Sequence, residues 1–190
     1  MELLKSIEEF EKYVVITGFG GMKLYDTEAF LEQVRRKKQS GVEVQFFDAS
    51  FVASWKHLYF AVLDALTSFR SNRNISKNLA MEIMLYASAQ HQIKKAIELL
   101  KINPKSTDIA VLIVADRPEV AKEALSTISE LVNAKPNDRV LELSEEKIRR
   151  IREVFNVADS EIQAIMEEGQ LEKALTDLVI ERMALLATQK

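Results

Sequence analysis

The chain has 190 residues, 47% of them hydrophobic, with few Gly or Pro, which suits one globular domain, or one with an elaborated end, and excludes a disordered chain. It contains no Cys, which excludes disulfides, thiolate chemistry and Cys-built zinc sites and fits a reducing, cytoplasmic setting. Its formal net charge of −3 argues by itself against a nucleic-acid binder.

The N-terminus, Met1-Glu2-Leu3-Leu4-Lys5-Ser6, has an acid and no long apolar core, so it does not read as a signal peptide. No apolar run approaches the roughly 18 residues of a membrane span, and no membrane partner is expected. Tyr13-Val14-Val15-Ile16-Thr17-Gly18 is rich in β-branched residues and predicts a strand. Gly18, Gly20 and Gly21 end it. Asp26 or Thr27 caps a helix carrying Ala29, Phe30 and Val34 inward, with Arg35 to Lys38 near its end and Gly41 as its stop. Val42 to Phe47 reads as a second strand.

A long helical stretch follows. Trp55, Leu58, Tyr59, Val62, Leu66 and Phe69 recur every three or four residues, one buried helix face. Arg70-Ser71-Asn72-Arg73-Asn74 breaks it. Ser76 is the expected cap of the next helix, with Leu79, Ile83 and Leu85 or Tyr86 inward, and Ser88 to Gln90 bends or restarts it. Ile93, Ala96, Ile97 and Leu100 continue the stripe to Asn103-Pro104. The apolar run Ile109 to Val114 suits a central strand. A helix opens at Arg117-Pro118-Glu119 and runs to about Val132. Val140 to Leu143 reads as a fourth strand, Ser144 starts a helix, Asp159 or Ser160 caps another, and Gly169 precedes a final helix, Leu171 to about Thr188. The expected fold class is α/β: a single domain over residues 1–190, with a mixed sheet of about four or five strands flanked by helices and a partner-binding C-terminal helix at 170–188.

Little in this pattern supports catalysis. Gly18-Phe19-Gly20-Gly21 follows a strand, where phosphate-binding loops sit. Its third glycine position holds Lys23, and no Lys-Ser or Lys-Thr follows. A phosphate- or nucleotide-handling enzyme using this turn is the alternative reading; a tight turn is favoured. His57 and His91 lack metal-pair spacing, and a Ser54, His57, Asp48 constellation has no nucleophile elbow around it. No catalytic residue, metal or cofactor is expected.

Charge is unevenly spread. Between Phe51 and Ser106 stand eight basic residues (Lys56, Arg70, Arg73, Lys77, Lys94, Lys95, Lys101 and Lys105) against three acids, Asp64, Glu82 and Glu98. A basic middle third in an acidic chain predicts a local face for phosphates.

The same segment reads Phe51-Val-Ala-Ser-Trp-Lys-His57-Leu-Tyr-Phe-Ala, then Asn74-Ile-Ser-Lys-Asn-Leu-Ala-Met-Glu82-Ile-Met-Leu-Tyr-Ala-Ser-Ala-Gln90-His-Gln-Ile93-Lys-Lys-Ala-Ile97. It resembles the CGI/TPRKB-type regulatory subunit of the KEOPS (EKC) tRNA-modification complex. That family has a His-Leu pair, a Glu-Ile-Leu-Leu-Tyr-like helix, and an Arg-Gln-Ile element leading to Ala-Ile. Here His91 stands for the family Arg, and Ala89 for a frequent glycine. The 108–114 strand and a final Leu-x-x-Leu-Val-Ile-x-x-Met helix extend the resemblance over nearly the whole chain.

The resemblance implies a non-catalytic subunit of the machine that makes threonylcarbamoyl-adenosine in tRNA. It implies direct binding to a small atypical kinase, an indirect link through that kinase to the threonylcarbamoyl-transferase subunit, and contact with tRNA, including its 3′ CCA end. A single-stranded end needs cations, planar groups and amides. The middle third supplies Lys56, His57, Arg70, Arg73, Asn74, Lys77, Gln90, His91 and Gln92. On the final helix, Leu171, Ala174, Leu175, Leu178, Leu185 and Leu186 form the expected core stripe, with Val179 at its edge. Ile180, Met183, Ala184 and Ala187 project the other way and are the expected kinase contacts.

Overall fold

β-Branched residues stiffen χ1 and favour extended backbone, and Val14, Val15, Ile16 and Thr17 lie in β2 (Lys12–Phe19) of the computed structural model, which describes residues 3–167, 169–186 and 188. β2 is preceded by β1 (Leu3–Ile7), joined through a 3-10 turn at Glu8–Phe10 that Glu11 closes at φ 52°. No strand is expected at β1 from sequence, because Lys5-Ser6 interrupts the apolar run. Pairing with β2, for example Leu4 opposite Val15, supplies what the local pattern lacks.

β3 (Val42–Asp48) and β4 (Ile109–Ala115) complete a four-stranded sheet of order β1-β2-β4-β3. The α/β class and the strand number hold. The expected mixed sheet is corrected: β4 runs antiparallel to both β2 and β3, and β1 is antiparallel to β2. The continuous apolar run of β4 reflects burial of all seven residues. Burial produces that pattern whatever the direction of the neighbouring strands.

The described chain forms two compact units, one of residues 1–49 with 101–140, the other of 50–100 with 141–190. In the first, α1 (Thr27–Lys37) and α5 (Pro118–Val132) accompany the sheet, α5 lying on β2, β3 and β4 and α1 against α5. The Asp26 carboxylate caps α1 by accepting the Ala29 N–H at 2.9 Å, as the sequence predicts. Phe19, Phe30, Val34, Phe46, Val111, Ile113, Leu125 and Ile128 share one core, with the Phe30 and Phe46 rings edge to face at 5.1 Å.

The glycine turn after β2 serves this packing. A Cβ on Gly18 would stand 1.9 Å from a Val140 methyl and 2.9 Å from the Ile109 carbonyl oxygen. The Gly18 carbonyl accepts the Asn137 N–H at 2.7 Å, and the Thr17 hydroxyl donates to Asp138 at 2.5 Å. These contacts hold residues 138–141 as a 3-10 turn, Asp138–Leu141, which corrects the fourth strand expected at Val140 to Leu143. Val140 fills the space that Gly18 and Gly20 leave open, rather than pairing in the sheet.

In the second unit the described elements are helical: α2 (Trp55–Arg70), α3 (Leu79–Ser88), α4 (Ile93–Leu100), α6 (Glu145–Val154), α7 (Asp159–Ile165) and α8 (Leu171–Leu186). α8 packs against α2, α3, α6 and α7. Leu58, Val62, Ile83, Leu85, Ile151, Leu175 and Val179 are fully buried. Ser144 caps α6 as expected, whereas α3 is capped by Asn78, whose side chain accepts the Met81 N–H. Ser76 instead uses its hydroxyl to accept the Asn78 N–H.

Candidate RNA and kinase contact surfaces

The twelve described residues among those expected to contact partners fall in the second unit. α2 and α3 lie side by side and run in opposite directions: His57, near the start of α2, bonds Ala87, near the end of α3, and Ser68 bonds Glu82. The RNA candidates therefore divide between two ends of this pair. Lys56, Gln90, His91 and Gln92 stand at one end. Arg70, Arg73, Asn74 and Lys77 stand at the other. Fourteen residues of helix separate Lys56 from Arg70, about 21 Å at the usual rise.

His57 is corrected from an RNA contact to a core residue. It is fully buried. Its Nδ1 accepts the Ala53 N–H at 3.2 Å, so Nε2 carries the proton and donates to the Ala87 carbonyl at 2.7 Å. Its ring meets Phe155 edge to face at 5.5 Å. Burial lowers its pKa from the ordinary 6.5 to about 4; the Ala87 bond opposes that shift, and nearby Lys147 reinforces it. A neutral imidazole with both nitrogens engaged offers nothing to a phosphate. With both nitrogens bonded to backbone, the ring has none left for a triad carboxylate; Asp48 accepts from the Ser106 hydroxyl at 2.6 Å.

At the same end of the helix pair, Lys56 is exposed with its ammonium 5.9 Å from the Trp55 ring centroid. Trp55, Tyr59 and Phe60 follow one another in edge-to-face contacts, and Phe60 is partly open to solvent. Gln90 and His91 are half-buried and Gln92 is exposed. Ala89 caps α3 at φ 51°, the left-handed conformation that glycine adopts without strain.

At the other end, Arg70, Arg73 and Lys77 are exposed and Asn74 is half-buried. The segment between α2 and α3 is tied down from below. Glu82 is fully buried. Its Oε1 accepts the Ser68 hydroxyl and the Ile75 N–H, both at 3.1 Å. Its Oε2 accepts the Ile75 N–H at 3.0 Å and the Ser76 N–H at 2.7 Å. Asn74 adds a bond from its side-chain amide to the Ser76 carbonyl at 3.0 Å, and the Arg73 N–H donates to the Ser68 carbonyl at 2.8 Å. From sequence Glu82 counts as an acid in the basic third and as the start of the Glu-Ile-Leu-Leu-Tyr-like motif, with no role of its own. The signal for its role is its setting: a single charge among Ala80, Ile83, Met84, Leu85 and Tyr86 has no wet face, and a buried carboxylate requires hydrogen-bond donors.

On α8 the expected kinase contacts separate. Ile180 is half-buried and Ala184 is exposed. Met183 is corrected: at 0% exposure it belongs to the unit's own core. Leu185 is corrected in the other direction, from core to surface, at 41% exposure. The stripe on a helix touched by four others is wider than one face, so periodicity misplaces its margins. Ala187 lies outside the described residues. α7 packs on α8, is tied to it by an Arg182–Glu161 ion pair, and ends in two exposed apolar side chains, Ile165 and the capping Met166.

The alternative phosphate loop is filled by the protein itself. The Asp108 carboxylate accepts the Gly21 N–H at 3.0 Å, which puts negative charge where a phosphate would bind. Among the described residues no group of His, Asp and Glu is placed to hold a metal ion, and no helix is long and apolar enough to cross a membrane.

The helical unit thus offers an apolar helix face and two cationic rims. Residues 25–187 match the model of the family described as kinase binding protein CGI-121, and the chain belongs to that family. It is 36% identical over 117 residues to the regulatory protein Cgi121 of Methanocaldococcus jannaschii, covering 62% of this chain and 72% of that one. It is 29% identical over 98 residues to the EKC/KEOPS complex subunit CGI121 of Coccidioides immitis, covering 52% of this chain and 47% of the relative. The corresponding subunit of Aspergillus fumigatus shares 29% over 98 residues, again covering 52% of this chain and 52% of the relative. The chain thus spans about half the length of the two fungal relatives it matches.

Proposed function

We propose that this chain is a non-catalytic subunit of a KEOPS complex, acting in the cytoplasm to support threonylcarbamoyl-adenosine formation in tRNA. It binds the complex's small atypical kinase directly and meets the threonylcarbamoyl-transferase subunit only through that kinase. The observation that carries this reading is the family match over residues 25–187, which includes every proposed contact residue. The kinase contact is assigned to the outward side of α8, with Ile180 and Ala184 central and Leu185 beside them. An exposed apolar strip on a helix already anchored in a core is a surface suited to a protein partner.

The tRNA contact is assigned to the two rims of the α2–α3 pair. Exposed cations attract phosphates, and the Trp55, Tyr59 and Phe60 row beside Lys56 provides planar surface near the amides of Gln90 and Gln92. The 3′ CCA end is assigned to that aromatic rim, and more distant tRNA backbone to Arg70, Arg73 and Lys77. The deciding experiment is calorimetry of the purified chain with the kinase, beside tRNA binding with and without the CCA end. Kinase binding together with weakened binding of trimmed tRNA is expected. No kinase binding overturns the assignment to the complex, and equal affinity for trimmed tRNA removes the CCA contact.

A further inference from the structure

Glu82 is a buried carboxylate that grips a loop bearing exposed cations. Its oxygens take the N–H groups of Ile75 and Ser76 and the hydroxyl of Ser68. Arg73 stands two residues before the gripped pair, and Lys77 directly after it. We infer that Glu82 is a positioning residue for tRNA binding: its carboxylate fixes the backbone at 75–76 and so presents Arg73 and Lys77 in a set geometry to the RNA backbone. The inference rests on the proposed RNA contact of this loop.

The physical case is one of entropy. Long basic side chains on a free loop pay to become ordered when they meet phosphates. A loop whose backbone is already held by charge-assisted hydrogen bonds pays less. Glu82 is suited to the task because both oxygens accept, and two successive N–H groups point at them. A glutamine keeps one neutral oxygen and sets an NH2 donor where the other oxygen meets the Ile75 N–H at 3.1 Å, so the grip loses its charge and gains a donor–donor clash.

This role has a sign that charge alone does not. A carboxylate beneath a phosphate-binding loop repels phosphate, so neutralising it would tighten RNA binding by simple electrostatics. If Glu82 positions the loop, neutralising it weakens binding instead.

The test compares wild type, Glu82→Gln, the milder Ser68→Ala and a core control, Val62→Ala, in the full chain. Val62 is fully buried on α2 and is not one of the proposed contact residues. Each is assayed for tRNA affinity below its melting temperature and for amide exchange at Ile75 and Ser76. Glu82→Gln is expected to bind tRNA about tenfold more weakly, equivalent to ~1.4 kcal/mol, and to exchange both amides faster. Ser68→Ala, which removes a single donor, is expected to shift both readouts less in the same direction. Val62→Ala is expected to melt earlier while binding tRNA normally. Equal or tighter binding by folded Glu82→Gln overturns the inference. So does an equal loss of affinity in Val62→Ala, since stability would then account for the effect. Wild type that binds no tRNA overturns the RNA reading itself, a result distinct from either.

Discussion

A histidine pinned at both nitrogens makes a sharp statement about pH. The folded state holds His57 neutral down to about 4, whereas the unfolded chain protonates it near 6.5. Its contribution is therefore complete above 6.5 and is lost as pH falls towards 4, about 3 kcal/mol over that window. The His57 ring resonances are expected to stay unchanged from pH 8 to 5; titration near 6.5 would show that the ring reaches solvent. Asp64 behaves oppositely. Burial raises its pKa from 3.8 to about 6, so its contribution is present below 3.8 and lost as pH rises through about 6. Asp64→Asn should then stabilise the protein at pH 7, by roughly 1 kcal/mol once screening at a partly exposed site is allowed for. The gain should vanish below pH 3.8, as followed by chemical denaturation across pH. Because the two groups oppose each other between pH 4 and 6, the wild type alone shows little net slope from them.

Among the helices, ends and faces decide the outcome. α3 stops at Ala89 with φ 51°, a conformation that costs a residue with a Cβ about 1 kcal/mol or more. Ala89→Gly should raise stability by about that much in thermal melts, with no change in partner binding. On α8 a matched pair of substitutions separates core from contact surface. Met183→Ala empties a fully buried site and should cost about 2–5 kcal/mol in denaturant unfolding. Ile180→Arg lies on the half-exposed side, where the long side chain can reach water. It should leave the fold nearly intact while abolishing kinase binding, since an unpaired charge buried at an interface costs roughly 2–5 kcal/mol. A large loss of melting temperature for Ile180→Arg would place that residue in the core, and normal kinase binding would move the interface elsewhere.

Over the whole molecule the acidic total and the basic middle third have to be reconciled. The helix pair does so by carrying its cations to two rims about 20 Å apart. In the proposed RNA contact the two rims meet separate stretches of RNA, and each should contribute its own counterion release. Arg73→Glu with Lys77→Glu should lower the slope of log affinity against log salt by roughly one per lost phosphate contact. Lys56→Glu should do the same independently, so the combined variant should show the sum of both changes. A slope unchanged by either pair of measurements would take that rim out of the RNA site.

Sequence by itself determined the parts whose cause is local. A β-branched run marked β2, early alternation turning apolar marked β3, a nearly unbroken apolar run marked β4, short oxygen side chains marked the starts of α1 and α6, and three-four spacing marked α2 and α8. The order of motifs around His57, Glu82 and His91 was enough to indicate the family. Tertiary structure decided everything that depends on what a residue faces. β1 exists because β2 offers it hydrogen bonds. Residues 138–141 turn because Gly18 leaves room for Val140. His57 and Met183 are buried, and Leu185 exposed, because the surrounding helices choose which part of a broad apolar stripe to cover. The role of Glu82 arises only when residues six and seven positions before it fold back over its carboxylate. Periodicity records that a helix has an apolar side; which atoms lie on the other side is set by segments distant in sequence, and that contact is where the energy of a buried charge or a buried methionine is decided.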